Sequence, residues 1–365
     1  MKIAYDYNIF FTQKYGGISR YFCSIIKEII KQKDEHQIKI FSPLFKNRYL
    51  SEIPKKFRTG IYIPKYPINN YIKKFIENNS FRKIKNSDFE IIHYTYYNSN
   101  ITNIKNKIKI ITVYDLIHEK FSKLYNNNNL YEKKKTIENA DHIICISENT
   151  KKDLLEYYSV NENKVSTVYL GFDHISKNYS KINFDKFLFP KNFILFVGSR
   201  QKYKNFDLLL NAYKQKINIL NDLELVCFGG GKFTDKEVNK FKSLGVNARI
   251  KNFQGDDVLL SYLYAKAKLF IFPSQYEGFG LPLIEAMSQN CPVLASENST
   301  FVEIAKDSIH FFKNNNVEDL AYKIEFLINS ENDLNSKKFK ALEISKKYTW
   351  ENCAKKTLEI YKKLL

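Results

Sequence analysis

Short apolar runs alternate with longer amphipathic segments along the chain. In the first half, strand-like runs rich in Ile, Val, Phe and Tyr occupy 2–7, 37–42, 89–95, 108–115, 142–147 and 165–170, and helical periodicity occupies 18–33, 129–139 and 148–158. Continuous apolar runs of this length are typical of strands buried in parallel sheets. Ser147, directly before the third helical segment, is a helix N-cap signal. The pattern therefore predicts βαβ units.

A polar, turn-rich stretch at 171–190 interrupts this pattern and is interpreted as a linker. Beyond it, apolar runs lie at 193–198, 223–229, 268–274, 291–296 and 307–312, with helical segments near 205–217, 235–244, 256–266, 281–289 and 317–329. We therefore predict an α/β protein of two facing, doubly wound domains at 1–175 and 176–347, a division that suits a chain of 365 residues.

Composition adds a charge imbalance to this picture. The formal net charge is +19, from 58 basic and 39 acidic side chains, and residues 1–100 alone carry 18 basic and 8 acidic ones. Such a surplus favours anionic partners: phosphates, nucleic acid or an acidic membrane face. Five widely spaced cysteines in apolar runs are typical of buried thiols in a reducing compartment. Neither a signal peptide nor a long apolar span is apparent, so we expect a cytoplasmic protein, soluble or peripherally membrane-bound.

The densest motif is PSQYEGFGLPLIEAMSQNCP at 273–292. An apolar strand passes through a glycine-rich turn into a helix near Leu281, with Glu277 in the turn and Glu285 on the helix. A helix N-terminus preceded by glycines offers unpaired N–H groups and a positive dipole end, which suit a diphosphate. A plain glycine turn with a solvated glutamate is the alternative interpretation of this string taken alone.

Taken with the rest of the chain, EGFGLPLIEAM resembles the Glu-x7-Glu signature of the family 4 retaining glycosyltransferases, which have the GT-B architecture of two facing Rossmann-like domains. Further stretches resemble that family in order and spacing: GGISRY (16–21), ADHIICISENTKKDL (140–154), FVGSRQKYKNFDLLLNAY (196–213), FQGDD to EGFG (253–280) and YTWENCAKKTLEIYKKL (348–364). The last resembles a terminal helix, here 348–365, that crosses back onto the N-terminal domain.

The resemblance implies roles for the residues of a donor site. Arg200 and Lys204 match the family pair that neutralises a nucleotide diphosphate, with a planar fork and a point charge. Glu277 matches the carboxylate that accepts hydrogen bonds from donor-sugar hydroxyls, and Glu285 the one that accepts from the ribose.

Backbone and apolar contacts complete the implied donor site. In the family, the residues that match Gly278, Phe279, Gly280 and the amide of Leu281 lie against the sugar and diphosphate. The stretch that begins with Lys251, Asn252 and Phe253 would help to hold the nucleobase. Gly16 and Gly17 would permit close backbone approach to the diphosphate.

The segment TVYDLIHEKF at 112–121 departs from the family, which commonly has a His-Asp pair at this place. Asp115 matches the family position, but Tyr114 stands where the histidine would be and His118 follows three residues later. Either Tyr114 contacts the sugar through its hydroxyl or His118 reaches it.

We expect no metal and no cofactor apart from the nucleotide-diphosphate sugar as co-substrate. The six histidines form no close pair at helical spacing, and no HExxH or Asp-x-Asp string follows a strand. GGGK at 229–232 lacks the remainder of a P-loop and is interpreted as a strand-ending turn that lines the nucleotide cleft.

The segment 55–85 mixes nine basic residues and one acid with six aromatic rings. Rings that settle at the headgroup level and cations that meet lipid phosphates suit an anionic membrane surface. A lysine-rich solvated surface is the alternative.

The resemblance implies a retaining hexosyltransferase, which we expect to be metal-independent and to act in the cytoplasm, peripherally on the inner face of the plasma membrane. Its acceptor would be a glycan or lipid-linked glycan of surface-polysaccharide or O-antigen assembly. GGISRY and YDLIHEKF resemble mannosyltransferases of that assembly most, so GDP-mannose is the first candidate donor. An epimerase or phosphorylase of the same architecture is the alternative. A nucleic-acid-binding protein is disfavoured, since no helix-turn-helix, zinc or RNP-type signature accompanies the charge.

Overall fold

The computed structural model describes residues 1–32, 36–65, 70–125, 130–172, 189–200, 202–219 and 222–365. The chain divides into two units, Met1–Gly171 with Thr349–Leu365, and Phe172–Tyr348. Each unit is built on a six-stranded sheet of parallel strands. The predicted class, two Rossmann-like α/β domains, is therefore confirmed. The predicted boundary at 175/176 lies among residues 173–188, outside the described residues.

The first unit carries eight of the described strands and seven helices before the chain leaves it. The strands are β1 (Lys2–Tyr5), β2 (Gln37–Ile40), β3 (Leu44–Phe45), β4 (Ile61–Tyr62), β5 (Ile91–Tyr94), β6 (Ile108–Val113), β7 (His142–Cys145) and β8 (Val165–Thr167). The helices are α1 (Asn8–Thr12), α2 (Gly17–Lys31), α3 (Arg48–Ser51), α4 (Asn70–Lys85), α5 (Ile117–Lys120), α6 (Leu130–Asn139) and α7 (Glu148–Tyr157), with 3-10 turns at Lys55–Phe57, Ser99–Asn103, Ser122–Leu124 and Glu162–Lys164.

The second unit follows with six described strands and eight helices. The strands are β9 (Phe193–Val197), β10 (Glu224–Phe228), β11 (Ile250–Phe253), β12 (Leu269–Phe272), β13 (Val293–Ser296) and β14 (His310–Phe312). The helices are α8 (Phe206–Lys216), α9 (Asp235–Ser243), α10 (Asp257–Lys266), α11 (Leu281–Ser288), α12 (Ser299–Ala305), α13 (Val317–Asn329), α14 (Glu331–Asn335) and α15 (Lys338–Ser345), with 3-10 turns at Lys202–Lys204 and Asn247–Arg249.

The last helix, α16 (Trp350–Leu364), returns to the first unit, as predicted, and packs against α2. Thr349 caps it by accepting a hydrogen bond from the Asn352 amide at 3.1 Å. Its inner face buries Trp350, Cys353 and Tyr361. The helix also closes over Gly171, where a Cβ would lie only 2.3 Å from the backbone nitrogen of Trp350.

Strand order places a switch point in each sheet. The first runs β2-β1-β5-β6-β7-β8, and the second runs β11-β10-β9-β12-β13-β14, which is the Rossmann order 3-2-1-4-5-6. Chain direction across the sheet reverses between β1 and β5 in the first unit and between β9 and β12 in the second. In open α/β sheets, ligands bind outside the carboxyl ends of the strands at such a point.

The sequence pattern did not predict several of these elements, of which α4 and β11 bear on the regions singled out above. The segment 70–85 forms the helix α4, which buries Ile76, Ser80 and Ile84 at intervals of four residues. The strand β11 occupies the stretch that begins at Lys251, and it pairs with β10 at the edge of the second sheet. Both lack a long apolar run, because one strand face and most of the helix surface remain accessible to water.

Candidate active site

The switch point of the second sheet brings together two loops that the sequence singled out. The loop after β9 carries Arg200 and Lys204, and the loop after β12 carries Glu277 and Gly280. The strands β9 and β12 are hydrogen-bonded neighbours, so their carboxyl ends meet at one edge of the sheet. A direct bond joins the loops, because the Gln275 amide donates to the Tyr203 carbonyl at 2.8 Å.

Lys204 and Glu277 form an ion pair in which Nζ lies 2.6 Å from Oε1. Their side chains are only 15% and 11% exposed, so water screens the pair weakly. The ammonium also lies 5.6 Å from the centre of the Phe272 ring. Thr300 Oγ1 donates to the Glu277 carbonyl at 2.6 Å and fixes the turn from the other side. A cation and a carboxylate are thus held side by side, one suited to phosphate oxygens and the other to sugar hydroxyls.

The turn that follows Glu277 requires glycine at its end. Gly280 has a φ of +88° in the left-handed region, and a Cβ there would lie 2.8 Å from Cε1 of Phe301. Gly280 is the N-cap of α11, and it has no side chain to occupy the first amides of the helix. The helix therefore presents its positive dipole end at Leu281, beside the turn.

Hydrogen bonds from buried polar groups fix the loop after β12. The Ser274 carbonyl accepts hydrogen bonds from Ser296 Oγ and from Asn298 Nδ2, the latter at 3.0 Å. Asn298 Oδ1 in turn accepts from the Phe301 amide at 2.9 Å and caps α12. The position of Glu277 therefore depends on several neighbouring segments rather than on its own turn alone.

Glu285 lies on α11 and is only 7% exposed. Its Oε2 accepts a hydrogen bond from the Tyr264 hydroxyl at 3.2 Å. Burial, and next the nearby carboxylate, raise the pKa of Tyr264 well above its ordinary value, so the hydroxyl keeps its proton to donate. Phe279 is 2% exposed and packs edge-on against Tyr348 at 5.7 Å. The implied contact of Glu285 with a ribose stays a prediction.

Arg200 is placed differently from the sequence expectation. Its side chain is 2% exposed, and Nε donates to Glu237 at 2.7 Å. The two terminal nitrogens donate to the carbonyls of residues 229–232 at 3.0–3.3 Å. The predicted fork toward a diphosphate is therefore turned toward the glycine loop, because that loop presents four carbonyl oxygens to it and Glu237 offers a countercharge.

The stretch implied to hold the nucleobase lies on β11, at the carboxyl edge beside that loop. Asn252 Nδ2 donates to the Cys227 carbonyl at 3.4 Å, and Phe253 packs against Phe189 with ring centres 4.8 Å apart. Lys251 is exposed and lies 3.6 Å from Glu224. Lys251 is thus engaged at the sheet edge, whereas Phe253 ends the strand next to the glycine loop.

In the first unit, residues from α2, from the ends of β5 and β6 and from α6 line a pocket of about 70 Å³: Ile18, Tyr96, Tyr97, Tyr114, Asp115, His118, Leu130 and Lys133. The pocket contains Asp115 and both residues between which the sequence left a choice, Tyr114 and His118. Thr112 Oγ1 is bonded to Tyr21 and His93, and the buried Tyr114 hydroxyl has no hydrogen-bond partner within the described residues. The structure places both Tyr114 and His118 on the pocket wall and so leaves both possible.

A buried ion pair and several hydrogen bonds hold the segment that carries His118. Lys133 Nζ donates to the Asp115 carbonyl at 2.7 Å and lies 2.8 Å from Glu119, with both charged side chains 6% exposed. Tyr158 adds a hydrogen bond to Glu119 at 2.5 Å, and Asp115 Oδ1 accepts from the Ile117 amide at 3.1 Å. His118 itself faces Tyr125, with ring centres 4.6 Å apart.

Gly16 and Gly17 begin α2. The backbone at Gly16 is extended, and a Cβ there would meet the end of the Gln13 side chain at 2.2 Å. Around Gly17, apart from its chain neighbours and the adjacent backbone of α2, no atom of the described residues lies within 4 Å of where a Cβ would be. The open space beside Gly17 is compatible with the implied approach of a ligand, which stays a prediction.

Sequence reasoning missed Glu237, Lys133 and Glu119. The segment Thr234–Glu237 forms a capping box at the start of α9, a signal that is readable from the sequence. Lys133 had no signal, because it lies in a run of three lysines. Within the described ranges no cluster of three or more His, Cys, Asp or Glu side chains could hold a metal ion, and no helix there has the length and apolar character to span a bilayer.

Comparisons with known families and proteins fit this arrangement. The family description "Glycosyltransferase Family 4" matches residues 15–175, and "Glycosyl transferases group 1" matches residues 180–342. The first matched region covers most of the first unit and ends four residues beyond Gly171, and the second lies within the second unit. Together they include the pocket of the first unit and both loops at the switch point of the second.

Individual relatives are similar to this chain at modest sequence identity. The chain is 29% identical over 243 residues to an uncharacterized glycosyltransferase of Methanocaldococcus jannaschii, covering 60% of this chain and 59% of the relative. It is 26% identical over 255 residues to O-antigen chain mannosyltransferase B of Escherichia coli, covering 68% of this chain and 66% of the relative. The alignments thus span less than two thirds of these relatives' own length.

Among solved structures, HepE of Anabaena in complex with UDP and glucose has a TM-score of 0.76 at 15% identity, covering all of both chains. At this identity the likeness concerns the fold alone.

Proposed function

Since the chain belongs to the family 4 glycosyltransferases of GT-B fold, we propose that it transfers a hexose, with retention of configuration, from a nucleotide-diphosphate sugar to a hydroxyl of a glycan or lipid-linked glycan. The observation that carries the proposal is the buried Lys204–Glu277 pair beside the N-terminus of α11. It sets a phosphate-binding cation, a hydroxyl-binding carboxylate and a helix dipole at one switch point.

In the proposed reaction, the bond between the anomeric carbon and the phosphate oxygen breaks, and a bond to the acceptor oxygen forms on the same face. The acceptor proton passes to the departing diphosphate, so no enzyme nucleophile is needed. Lys204 and the N-terminus of α11 would stabilise the charge that develops on the leaving group. This positive charge would do the work that Mg²⁺ does in other transferases, and we propose that the reaction is metal-independent.

GDP-mannose is the donor we propose first. The support is the similarity to O-antigen chain mannosyltransferase B of Escherichia coli. UDP-glucose is the competing donor, because HepE, which shares the fold, binds UDP and glucose. The acceptor would then belong to surface-polysaccharide assembly.

A thermal-shift panel separates these donors. A ligand present at one hundred times its Kd adds about 2.7 kcal/mol to the free energy of unfolding. We expect GDP and GDP-mannose to raise the melting temperature of the second unit and UDP-glucose to have a smaller effect. The reverse order would transfer the proposal to UDP-glucose, and no response to any nucleotide would contradict it.

A product assay addresses the reaction class. Transfer of labelled sugar to a glycan acceptor, undiminished in EDTA and with the donor's anomeric configuration kept, is the expected result. An epimerised nucleotide sugar, or a sugar phosphate formed from a glycan and inorganic phosphate, would favour the epimerase or phosphorylase alternatives.

We also propose peripheral binding to the inner face of an anionic membrane through α4. Its outward side exposes Tyr71 (87%) and Phe75 (64%) among basic residues such as Lys74 and Arg82. The six rings of the segment do not act together. Tyr62 packs on Phe45, Phe57 and Phe81 are half-buried, and Tyr66 lies outside the described residues.

A further inference from the structure

The buried guanidinium of Arg200 has a set of partners that the donor-binding role does not use. Nε donates to Glu237 Oε1 at 2.7 Å, and Cζ lies 4.8 Å from the centre of the Phe233 ring. The remaining donors reach the carbonyls of Gly229, Gly230, Gly231 and Lys232. Few groups other than a planar fork with five N–H donors could serve so many acceptors at once.

The loop that receives these bonds has an unusual backbone. Gly229, Gly230 and Gly231 have φ values of +81°, +68° and +78°, a left-handed run that side chains disfavour. A Cβ on Gly230 would also lie 2.7 Å from the Gly198 carbonyl and 2.9 Å from Nη1 of Arg200. The loop therefore closes tightly on the guanidinium, and its carbonyls converge on one cation.

Glu237 completes the arrangement from α9. Its Oε1 receives Arg200, and its Oε2 receives the Thr234 amide at 2.8 Å and the Thr234 hydroxyl at 2.9 Å. Burial acts to raise the pKa of Glu237, but the hydrogen bonds from Arg200 and Thr234 outweigh it, so the pKa lies below its ordinary value. The carboxylate thus joins the glycine loop to the start of α9 and neutralises the charge of Arg200.

The glycine loop, residues 229–232, lies between two stretches of the proposed donor site. The loop follows β10, which lies between β11 and β9 in the sheet. On one side the Gly229 amide donates to the Phe253 carbonyl at 3.2 Å, and on the other the Gly198 amide donates to the Phe228 carbonyl at 2.9 Å. The loop thus lies between the stretch implied to hold the nucleobase and the loop that carries Lys204.

We infer that Arg200 and Glu237 form a clamp that shapes residues 229–232 into one wall of the nucleotide site, so that Arg200 is a positioning residue rather than a diphosphate ligand. This inference rests on the proposed nucleotide-sugar donor for its consequence, but not for the clamp itself. The diphosphate is then met by Lys204 and the N-terminus of α11.

Two variants and a control separate positioning from direct binding. Arg200→Met removes the cation, and Glu237→Gln removes only its countercharge and leaves Arg200 in place. Lys236→Gln on the exposed side of α9 removes one positive charge without touching the clamp. Hydrogen exchange of the amides at 229–232 is measured first, on the free protein without nucleotide. We expect both clamp variants to exchange at least tenfold faster than wild type and Lys236→Gln to match wild type.

Donor affinity is the second measurement, with GDP-mannose and UDP-glucose as probes. We expect both clamp variants to raise the donor KM about tenfold, with a smaller change in kcat. Unchanged exchange in both variants overturns the clamp, whatever ligand the protein binds. Faster exchange with an unchanged KM overturns its role in the nucleotide site. If the donor KM rose in Arg200→Met alone and stayed at the wild-type value in Glu237→Gln, Arg200 would bind the phosphate directly, and the positioning role would be overturned. If wild type bound neither probe, the proposed donor would fail, and the exchange data alone would decide the clamp.

Discussion

The two units share one architecture but place their polar groups differently. In the second unit the central strands β9 and β12 are wholly buried and apolar, and the charged groups of the site lie in the loops beyond them. In the first unit polar side chains lie within the sheet itself, with His93 and Thr112 fully buried on β5 and β6. In the second unit the central pair of strands is therefore apolar and its charged groups lie at the proposed donor site, whereas in the first unit the central strands carry polar groups of their own.

The polar centre of the first unit links the sheet to α16. His93 Nδ1 lies 2.5 Å from the Tyr361 hydroxyl and Nε2 lies 2.8 Å from Thr112 Oγ1. Tyr361 also lies 3.2 Å from the Tyr5 hydroxyl. A buried polar group costs stability unless it is hydrogen-bonded, so these groups depend on one another. The returning helix is therefore held by specific bonds as well as by apolar packing.

The largest effect we expect is the loss of transfer in Glu277→Gln. The amide keeps the size of the side chain but loses the charge beside Lys204 and part of the capacity to accept hydrogen bonds from hydroxyl groups. Removal of one stabilising group in a preorganised site typically costs about 100-fold or more in rate. The measurement is the initial rate of sugar transfer together with the melting temperature.

The matched control is Glu318→Gln, which removes an exposed carboxylate from α13 in the same unit. It should leave the rate unchanged. A Glu277→Gln enzyme with near-normal turnover, or one that is inactive only because it is unfolded, would contradict the assignment.

A second effect concerns pH and is a property of the first unit, which contains both Asp6 and His93, because burial shifts the pKa values of these two groups in opposite directions. Burial raises the pKa of Asp6 from 3.8 to about 7, and burial lowers the pKa of His93 from 6.5 to about 3. For Asp6 the folded state binds more protons, so its contribution to stability falls as the pH rises from about 4 to 7. For His93 the folded state binds fewer, so stability rises from about pH 3 to 6.5.

The two contributions oppose each other in wild type, and single variants should expose them. His93→Gln should become less stable as the pH rises from about 4.5 to 6.5, by up to a few kcal/mol, and Asp6→Asn more stable. Asn at position 6 keeps a side-chain oxygen that can accept the hydrogen bond from the Thr95 amide, as Asp6 Oδ1 does at 2.6 Å. Urea unfolding at several pH values measures the free energy of unfolding of both variants. The fluorescence of Trp350 reports on the transition, since this residue is the one tryptophan of the chain and belongs to the first unit. Parallel slopes in the two variants would refute this account.

A third prediction addresses the attachment of α16. Tyr361→Phe removes the hydroxyl shared by His93 and Tyr5, and the loss of buried hydrogen bonds should cost about 1–3 kcal/mol of unfolding free energy. The control Tyr322→Phe removes the hydroxyl of a tyrosine that is 57% exposed on α13. It should change stability by less than about 0.5 kcal/mol. Equal effects would mean that the buried network contributes nothing specific.

The same contrast explains how far the sequence could predict the molecule. Apolar runs such as 193–197 were recognised as strands, and Ser147 does cap α7, accepting from the Thr150 amide at 3.0 Å, because these signals are local. The resemblance pointed to Lys204 and Glu277 as ligands of one donor, but not to their ion pair. Seventy-three positions separate the two residues, and only the neighbouring strands bring them together.

Packing decided what the local signals could not. In a run of three lysines, Lys133 is 5% exposed while the side chain of Lys134 is 63% exposed, although nothing in the sequence separates them. Arg200 was expected to face a diphosphate because it matches one member of the family pair that neutralises that group. Its direction depends on the carbonyls of 229–232, which belong to a different strand-helix connection.

The smallest effect separates two exposed aromatic pairs, one in each unit. Tyr71 and Phe75 on α4 are surrounded by five basic residues and one acid, whereas Tyr322 and Phe326 on α13 stand among three acids and one lysine. Anionic vesicles should therefore hold the first pair only. Replacing Tyr71 and Phe75 by Ser should weaken vesicle binding about tenfold, since the loss of about 0.7 kcal/mol of interfacial apolar burial per ring amounts to about 1.4 kcal/mol for the pair.

Sedimentation with vesicles of phosphatidylglycerol and phosphatidylcholine measures this binding. Serine at Tyr322 and Phe326 is the control and should change nothing. Raising the salt to about 0.5 M should release the wild-type protein, because each cation near the surface contributes about 1 kcal/mol that salt screens. If wild type fails to bind at low salt, the membrane proposal is wrong. If both serine pairs weaken binding equally, the attraction is general hydrophobicity, and the basic surroundings of α4 do not distinguish the first unit from the second.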